Sequence, residues 1–440
     1  MEDWLTTSAT ELGRGIDAGK IDPRDLTEAY LGAIATHDFA DRIYAHVTAE
    51  RARAEAVAAA ERARLGLRRG ALDGVPISWK DLFDSAGVAT ESGTLLLKGR
   101  VPPADARVLQ NATHAGLVCL GKTHQTEFAF SGLGLNPVTA SPPCVNDPDA
   151  VSGGSSSGAG ASVGFGLAAA GIGSDTGGSV RIPSVWNDLV GLKTVHGRLS
   201  LDGVIPLCAR FDSVGPLCRS VEDAAHLLAV MENSKPADLT HASLDGVTLG
   251  LLKTQAFNGI EDAPRTAFED AVKRLEAAGA RVTPIDVDAV DEATKLGPTL
   301  FPAEAYATWK DLIEADGDKM YPAVHRRFVQ GRTIPASDFI QGWRELDCLR
   351  LMYGDATKGF DAVILPSCPI LPPKADALLA DDDYFTERNL MALQNTRIGN
   401  LMGLAAITLP TGTASTGVML QGANEERLLR LAVAAEAALA

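Results

Sequence analysis

Cationic side chains are in short supply in this 440-residue sequence: 40 Lys and Arg stand against 56 Asp and Glu, a formal charge of −16. Phosphate contacts need a net supply of Lys and Arg, so the balance argues against a nucleic-acid binder. The densest basic spot, Arg62, Arg64, Arg68 and Arg69, is interleaved with Glu55, Glu61 and alanines. It reads as the solvated C-terminal end of a helix. Cysteine is sparse too, with six residues at 119, 144, 208, 218, 348 and 368, no CxxC pair and no metal-like spacing. That usage points to buried thiols in a reducing compartment and to no metal site. Long apolar runs are missing: the longest weakly apolar stretch, 163–173, falls far short of the roughly 20 residues that span a bilayer. The opening MEDWLTTSAT has no basic segment followed by an apolar one, so no secretory signal is read there. Together these absences predict a cytoplasmic protein with no membrane and no nucleic-acid partner.

What is present is the composition of a globular protein, 46% hydrophobic and 22% charged, without internal repeats or low-complexity linkers. One continuous domain over 1–440 is expected. Residues 1–66 read helical: Asp22 and Pro23 form an N-cap and first-turn pair, and Leu26, Tyr30, Leu31 and Ile34 recur at helical spacing. The alanine-rich run from Glu50 to Leu65 continues the helical part, and Gly66 ends it. From Gly74 the texture changes to short apolar runs at 74–80, 117–120, 247–252, 281–285, 362–365, 405–409 and 416–420. Helical patterns at 106–114, 263–278 and 425–439 alternate with them. This alternation predicts an α/β fold, a mixed and mostly parallel central sheet with helices on both faces. Residues 290–360 carry helical signal with little strand signal, a segment placed to cover a site on the sheet.

The most unusual stretch is 152–184, SGGSSSGAGASVGFGLAAAGIGSDTGGSVRIPS, with ten glycines. Glycine removes the Cβ obstruction and lets backbone N–H groups approach a ligand. A flexible linker is the plain alternative, but Val163, Phe165, Leu167, Ile172, Val180 and Ile182 are threaded through the stretch. A dinucleotide fingerprint would follow an apolar strand, whereas residues 146–152 are turn material. Gly154-Ser-Ser-Ser-Gly158 matches the G-x-S-x-G elbow, but the last of the eight scattered histidines is His325, and no late catalytic histidine follows. A serine nucleophile served by a distant lysine remains. The penicillin-binding arrangement is excluded because S-x-x-K occurs nowhere. Lys80 closes the apolar run 75–79, and an exposed strand-terminal lysine is an equally plain reading of that position.

Three segments resemble the amidase signature hydrolases: Gly153-Gly-Ser155-Ser-Ser-Gly158, the run Gly171-x-Gly-Ser-Asp175-Thr-Gly-Gly-Ser179-x-Arg181-x-Pro183, and Gly74-Val-Pro-Ile-Ser-Trp-Lys80-Asp81. The separations are 75 residues from Lys80 to Ser155 and 24 from Ser155 to Ser179. Gly121-Lys-Thr-x-x-x-Glu127-Phe128, Gly191-Leu-Lys-Thr194, Asp212-x-Val-Gly-Pro216 and residues 403–410 are similar to the family as well.

The resemblance implies a triad of Ser179, Ser155 and Lys80, with Ser179 as nucleophile, Ser155 as relay after a cis Gly154–Ser155 bond, and Lys80 as base. It also implies an oxyanion hole from the N–H groups of Thr176, Gly177, Gly178 and Ser179, braced by Asp175, Ser156 and Arg181. The expected reaction is hydrolysis of a small soluble amide to acid and amine, which needs no metal or organic cofactor. By family position Phe128, the 132–135 loop with Gly132 and Leu133, Cys208 and the 366–369 turn are expected to wall the substrate pocket. The alternative is the amidase subunit of glutamyl-tRNA amidotransferase. Against it, residues 393–397 read Leu-Gln-Asn-Thr-Arg where an acidic residue for the glutamine amine is expected. A homodimer is the default assembly.

Overall fold

The helix Pro23–Thr36 begins as its sequence dictates: the Asp22 carboxylate accepts the Arg24 N–H at 2.8 Å, with Pro23 in the first turn. Its buried face is Leu26, Tyr30, Leu31 and Ile34. This is the computed structural model of residues 4–440; residues 1–3, the start of the stretch read as helical, lie outside the described residues. Helix Ala49–Arg64 follows, and the basic cluster at its end is internally neutralised. Arg62 pairs with Asp73, Arg64 with Glu61 and Arg68 with Asp17, and Arg69 donates to the His114 carbonyl. The helical reading of residues 1–66 needs one correction, a short strand at Tyr44–Val47 that adds to the sheet edge.

The strands in chain order are β1 (Tyr44–Val47), β2 (Pro76–Lys80), β3 (Val118–Thr123), β4 (Pro143–Cys144), β5 (Asp147–Val151), β6 (Ala170–Asp175), β7 (Val190–Lys193), β8 (Ser213–Cys218), β9 (Thr248–Leu252), β10 (Arg281–Ile285), β11 (Ala362–Pro366), β12 (Ala405–Pro410) and β13 (Gly417–Gly422). β4 and β5 form a separate hairpin, and the others make one sheet of order β1-β3-β2-β6-β8-β7-β12-β13-β11-β9-β10. The α/β character and the mixed sheet flanked by helices are as the sequence implies. Parallel pairing is concentrated in two trios, β3-β2-β6 and β11-β9-β10. The other six neighbouring pairs are antiparallel: β1-β3 and the five from β6 through β8, β7, β12 and β13 to β11. The predominance of parallel pairing expected from strand–helix alternation is therefore confined to the trios. Between them, β7 runs to β8 through a loop and β12 to β13 through a turn, direct connections that antiparallel neighbours allow.

Helix Ser157–Gly164 packs on β6, β2 and β3, and helix Glu425–Leu439 packs on β12 and β13. The latter buries Leu428, Leu429, Ala432, Ala435 and Leu439. Residues 290–360 are helical, in Asp288–Asp316, Pro322–Val329 and Ala336–Thr357. Among the described residues no helix is long and apolar enough to cross a membrane.

Candidate active site

Neighbouring parallel strands present their C-terminal ends on one edge of a sheet, the usual place for a site in an open α/β fold. β2 ends at Lys80 and its neighbour β6 ends at Ser174 and Asp175. The Lys80 side chain is buried, and its Nζ donates to Ser155 Oγ at 2.7 Å and to Ser174 Oγ at 2.9 Å. Burial brings the Lys80 amine down to about 7, against the opposing pull of the Asp175 and Asp212 charges. The exposed strand-terminal lysine is thereby ruled out. Ser174 is a partner that the sequence reading did not single out.

Ser155 follows a cis Gly154–Ser155 peptide just before helix Ser157–Gly164. Its carbonyl accepts from Thr126 N at 3.1 Å, and the Gly154 N–H donates to the Gly132 carbonyl at 2.8 Å. The next residue links this segment to the second serine, since Ser156 N donates to the Ser179 carbonyl at 3.2 Å. Ser156 Oγ donates to the Ser174 carbonyl at 3.2 Å. Such contact needs glycine at 173, where a Cβ would lie 2.5 Å from Ser156 Oγ.

Asp175 and Arg181 hold the turn between them. Arg181 is buried and grips the carboxylate with two donors, Nε at 3.0 Å and Nη2 at 2.8 Å. Its remaining capacity goes to the Thr396 carbonyl and Asn400 Oδ1, each at 2.6 Å. Asp175 also accepts from Val180 N and Asn400 Nδ2. Burial alone would raise the Asp175 carboxyl, but the Arg181 charge and these hydrogen bonds hold it below the usual carboxylate range. On the other side, Thr176 Oγ1 donates to Asp212 at 2.5 Å, and Asp212 also accepts from Leu207 N and Cys208 N. Burial pushes Asp212 up to about 6, against those donors.

Between these anchors lie four successive N–H groups, of Thr176, Gly177, Gly178 and Ser179, none of which has an acceptor among the described residues. Buried N–H groups are nearly always paired, so this run of free ones makes a cradle open to an outside acceptor. Gly178 makes the turn possible: its φ is +144°, and a Cβ there would lie 2.1 Å from Thr396 Oγ1, which bonds the Gly177 carbonyl at 2.8 Å. Gly178→Ala is expected to cost ~2 kcal/mol or more of stability, measured by urea unfolding, and to depress turnover by displacing the cradle.

Ser179, Thr176 and Gly177 border a cavity of about 340 Å³. The four residues expected to wall it do not. Phe128 is buried against Trp309 and Phe328, with ring centroids 4.6 and 5.7 Å away. Phe128 and Ala129 both have positive φ, 46° and 59°, so Ala129, Phe130 and Ser131 reach the cavity instead. Gly132 is bonded through its N–H to Asn389 Oδ1, Leu133 is fully buried, and Cys208 donates to the Phe301 carbonyl. Leu207 takes the place expected of Cys208 in the wall, and no residue of the 366–369 turn borders the cavity. The other walls come from 297–330 and 386–397, including Phe301, Leu393 and Arg397. Sequence reasoning had no signal for Asn400, Arg326 or Arg327, and it noted Asp212, Thr396 and Arg397 only within longer stretches.

The string Gly116-Leu-Val-Cys-Leu-Gly-Lys122-Thr123 also fits the phosphate-loop pattern. Residues 118–123 are, however, the buried strand β3, and Lys122 Nζ is held by Asp81 at 3.0 Å and Thr90 at 2.9 Å. No phosphate-binding loop exists there.

Comparison with known proteins fits this geometry. The pattern of the family described as Amidase matches residues 25–427. A glutamyl-tRNA(Gln) amidotransferase subunit from Acinetobacter baumannii (strain AYE) is 31% identical, with 94% of this chain and 90% of that protein covered. A solved amidase structure superposes with a TM-score of 0.88 at 30% identity, covering 99% of this chain and all of that one. The native peptide amidase of Stenotrophomonas maltophilia superposes at 0.81 with 25% identity, covering 98% of this chain and 96% of that one. The chain belongs to the amidase signature family, whose chemistry is hydrolysis of amide C–N bonds.

Proposed function

We propose that the protein hydrolyses a carboxylic amide to the acid and ammonia or an amine, through an acyl-enzyme on Ser179. The observation that carries this reading is the buried Lys80 amine, near neutrality and 2.7 Å from the Ser155 hydroxyl, beside four free N–H groups that end at Ser179. Neutral Lys80 accepts the Ser155 proton as Ser155 takes that of Ser179, and Ser179 Oγ bonds to the amide carbon. The carbonyl oxygen becomes anionic and is received by the N–H groups of residues 176–179, each such donor being worth roughly 3–4 kcal/mol in the transition state. The C–N bond then breaks as the relayed proton reaches the leaving nitrogen. Water, deprotonated along the same path, releases the acid and restores Ser179. Asp175, Arg181 and Ser156 position the turn without touching the reacting atoms.

The test is intact-mass and peptide spectrometry after quenching turnover of a panel of primary and secondary amides. The substrate's acyl group is expected on Ser179; labelling of Ser155 instead would overturn the assignment of roles. The pH profile supplies a second prediction. Lys80 must be neutral to act, so kcat/KM is expected to rise with pH and inflect near 7. Asp212→Asn removes a charge that favours the ammonium form, so the acid limb should move to lower pH.

A second reading, release of ammonia from glutamine for a partner protein, is favoured by the relatives that are amidotransferase subunits. Against it, the stretch 393–397, where that reading expects an acidic group, brings Leu393 and Arg397 to the cavity and no carboxylate. Glutaminase assays with the purified chain separate the two.

A further inference from the structure

The cavity beside Ser179 has an unbalanced charge. Three arginines border it, Arg326, Arg327 and Arg397, and no aspartate or glutamate does. Arg326 is answered by Asp382 at 2.7 Å. Arg327 and Arg397 form no ion pair among the described residues, and the buried Nε of Arg327 has no hydrogen-bond partner. Each lies within cation–π distance of an aromatic ring instead. The Arg327 Cζ lies 4.5 Å from the Phe130 ring centroid, and the Arg397 Cζ lies 5.9 Å from that of Phe301. Burial lowers both guanidinium groups to about 10, aided at Arg327 by the Arg397 charge, yet both stay protonated at neutral pH. Two cations partly withdrawn from water, close enough to repel and lacking a counter-ion, are costly unless an anion joins them. With no ion pair formed, their N–H donors are open to a planar, bidentate acceptor, for which a carboxylate is suited.

We propose that the substrate is an amide carrying a carboxylate and no ammonium group, held through that carboxylate by Arg327 and Arg397 while its carbamoyl carbon lies at Ser179. This rests on the amide-hydrolase reading above. Hydrolysis of such a compound gives a dicarboxylate and ammonia. An α-ammonium, as in glutamine, would enter a cavity that offers it cations and no carboxylate.

Binding and turnover test the two readings separately. Calorimetry measures dicarboxylates from succinate to suberate against the matching neutral diamides, first on the unaltered protein and then on Arg327→Met and Arg397→Met. At least one dicarboxylate is expected to bind on the order of tenfold to a hundredfold more tightly than its diamide, and each substitution should remove most of that preference. In turnover, the monoamide of the preferred dicarboxylate should exceed both the unsubstituted alkyl amide of the same length and glutamine in kcat/KM. If no dicarboxylate binds better than its diamide on the unaltered protein, the carboxylate subsite is overturned, even if neutral amides are hydrolysed. Preference for glutamine over its deamino analogue would overturn the exclusion of an ammonium group. Arginine-dependent dicarboxylate binding without hydrolysis of any amide would leave the subsite standing and overturn the role of Ser179. The comparison on the unaltered protein holds even if a variant folds poorly.

Discussion

Ser179→Ala is expected to lower kcat by on the order of 10⁴-fold or more while leaving the fold intact. The side chain is no structural element: the Ser179 contact that ties the site together is its carbonyl, which accepts from Ser156 N, and alanine keeps it. What alanine removes is the oxygen proposed to form the covalent bond. The N–H cradle of residues 176–179 and the cavity survive, so the residual rate should reflect oxyanion stabilisation and binding alone, with KM little changed. Ammonia release measured side by side with unfolding curves checks both halves. Activity within tenfold of the parent would mean that another group makes the bond.

Arg181→Met is the change with the largest expected effect on folding, a loss of about 3–5 kcal/mol. The number follows from what stays behind. Asp175 remains buried with its strongest partner gone, while the Thr396 carbonyl and Asn400 Oδ1 lose donors at 2.6 Å. Against a total stability of about 5–15 kcal/mol for a typical domain, such a loss removes a large share. Urea unfolding should show a clearly lower midpoint. The acid side should change as well. A carboxyl held below its ordinary value contributes stability that is complete above about pH 4 and fades as pH falls through the lower, folded value. Without Arg181 that depression is gone, so the contribution at neutral pH should disappear and the stability of the variant should respond differently to acid. Unchanged stability would mean that the Asp175–Arg181 pair contributes nothing net.

The strands that sequence patterning finds are those made of apolar residues. β9, β11 and β12 were legible because Leu, Ile and Val runs end in turn residues. β6 was not, although it ends at the centre of the site. Its sequence, AGIGSD, has two glycines where the helix Ser157–Gly164 presses on the sheet, so close packing replaced the apolar signal. β8 was hidden similarly, with Gly215 and Pro216 inside it. The residues proposed to react were named through the family resemblance of their motifs, and Lys80 and Ser155 meet in the structure at hydrogen-bond distance. The cavity walls were not. Which of Phe128 and Phe130 faces the substrate depends on two left-handed backbone positions in succession, and neither Phe128 nor Ala129 advertises them. Arg327 and Arg397 come from segments 70 residues apart that only the folded chain brings to one cavity.

That division of the cavity has a consequence for how such a protein can diversify. Lys80, Ser155, Ser174, Asp175, Ser179, Arg181 and Asp212 all fall within residues 80–212, on strand ends and turns fastened to the sheet. The walls of the cavity proposed to hold the rest of the substrate are supplied largely from 297–330 and 386–397, outside that block. Thr396 lies in the second block yet braces the first through Arg181 and the Gly177 carbonyl. Drift at the wall positions can exchange one amide for another while that brace stays fixed, so descendants of a common ancestor can inherit the same reaction while differing in diet.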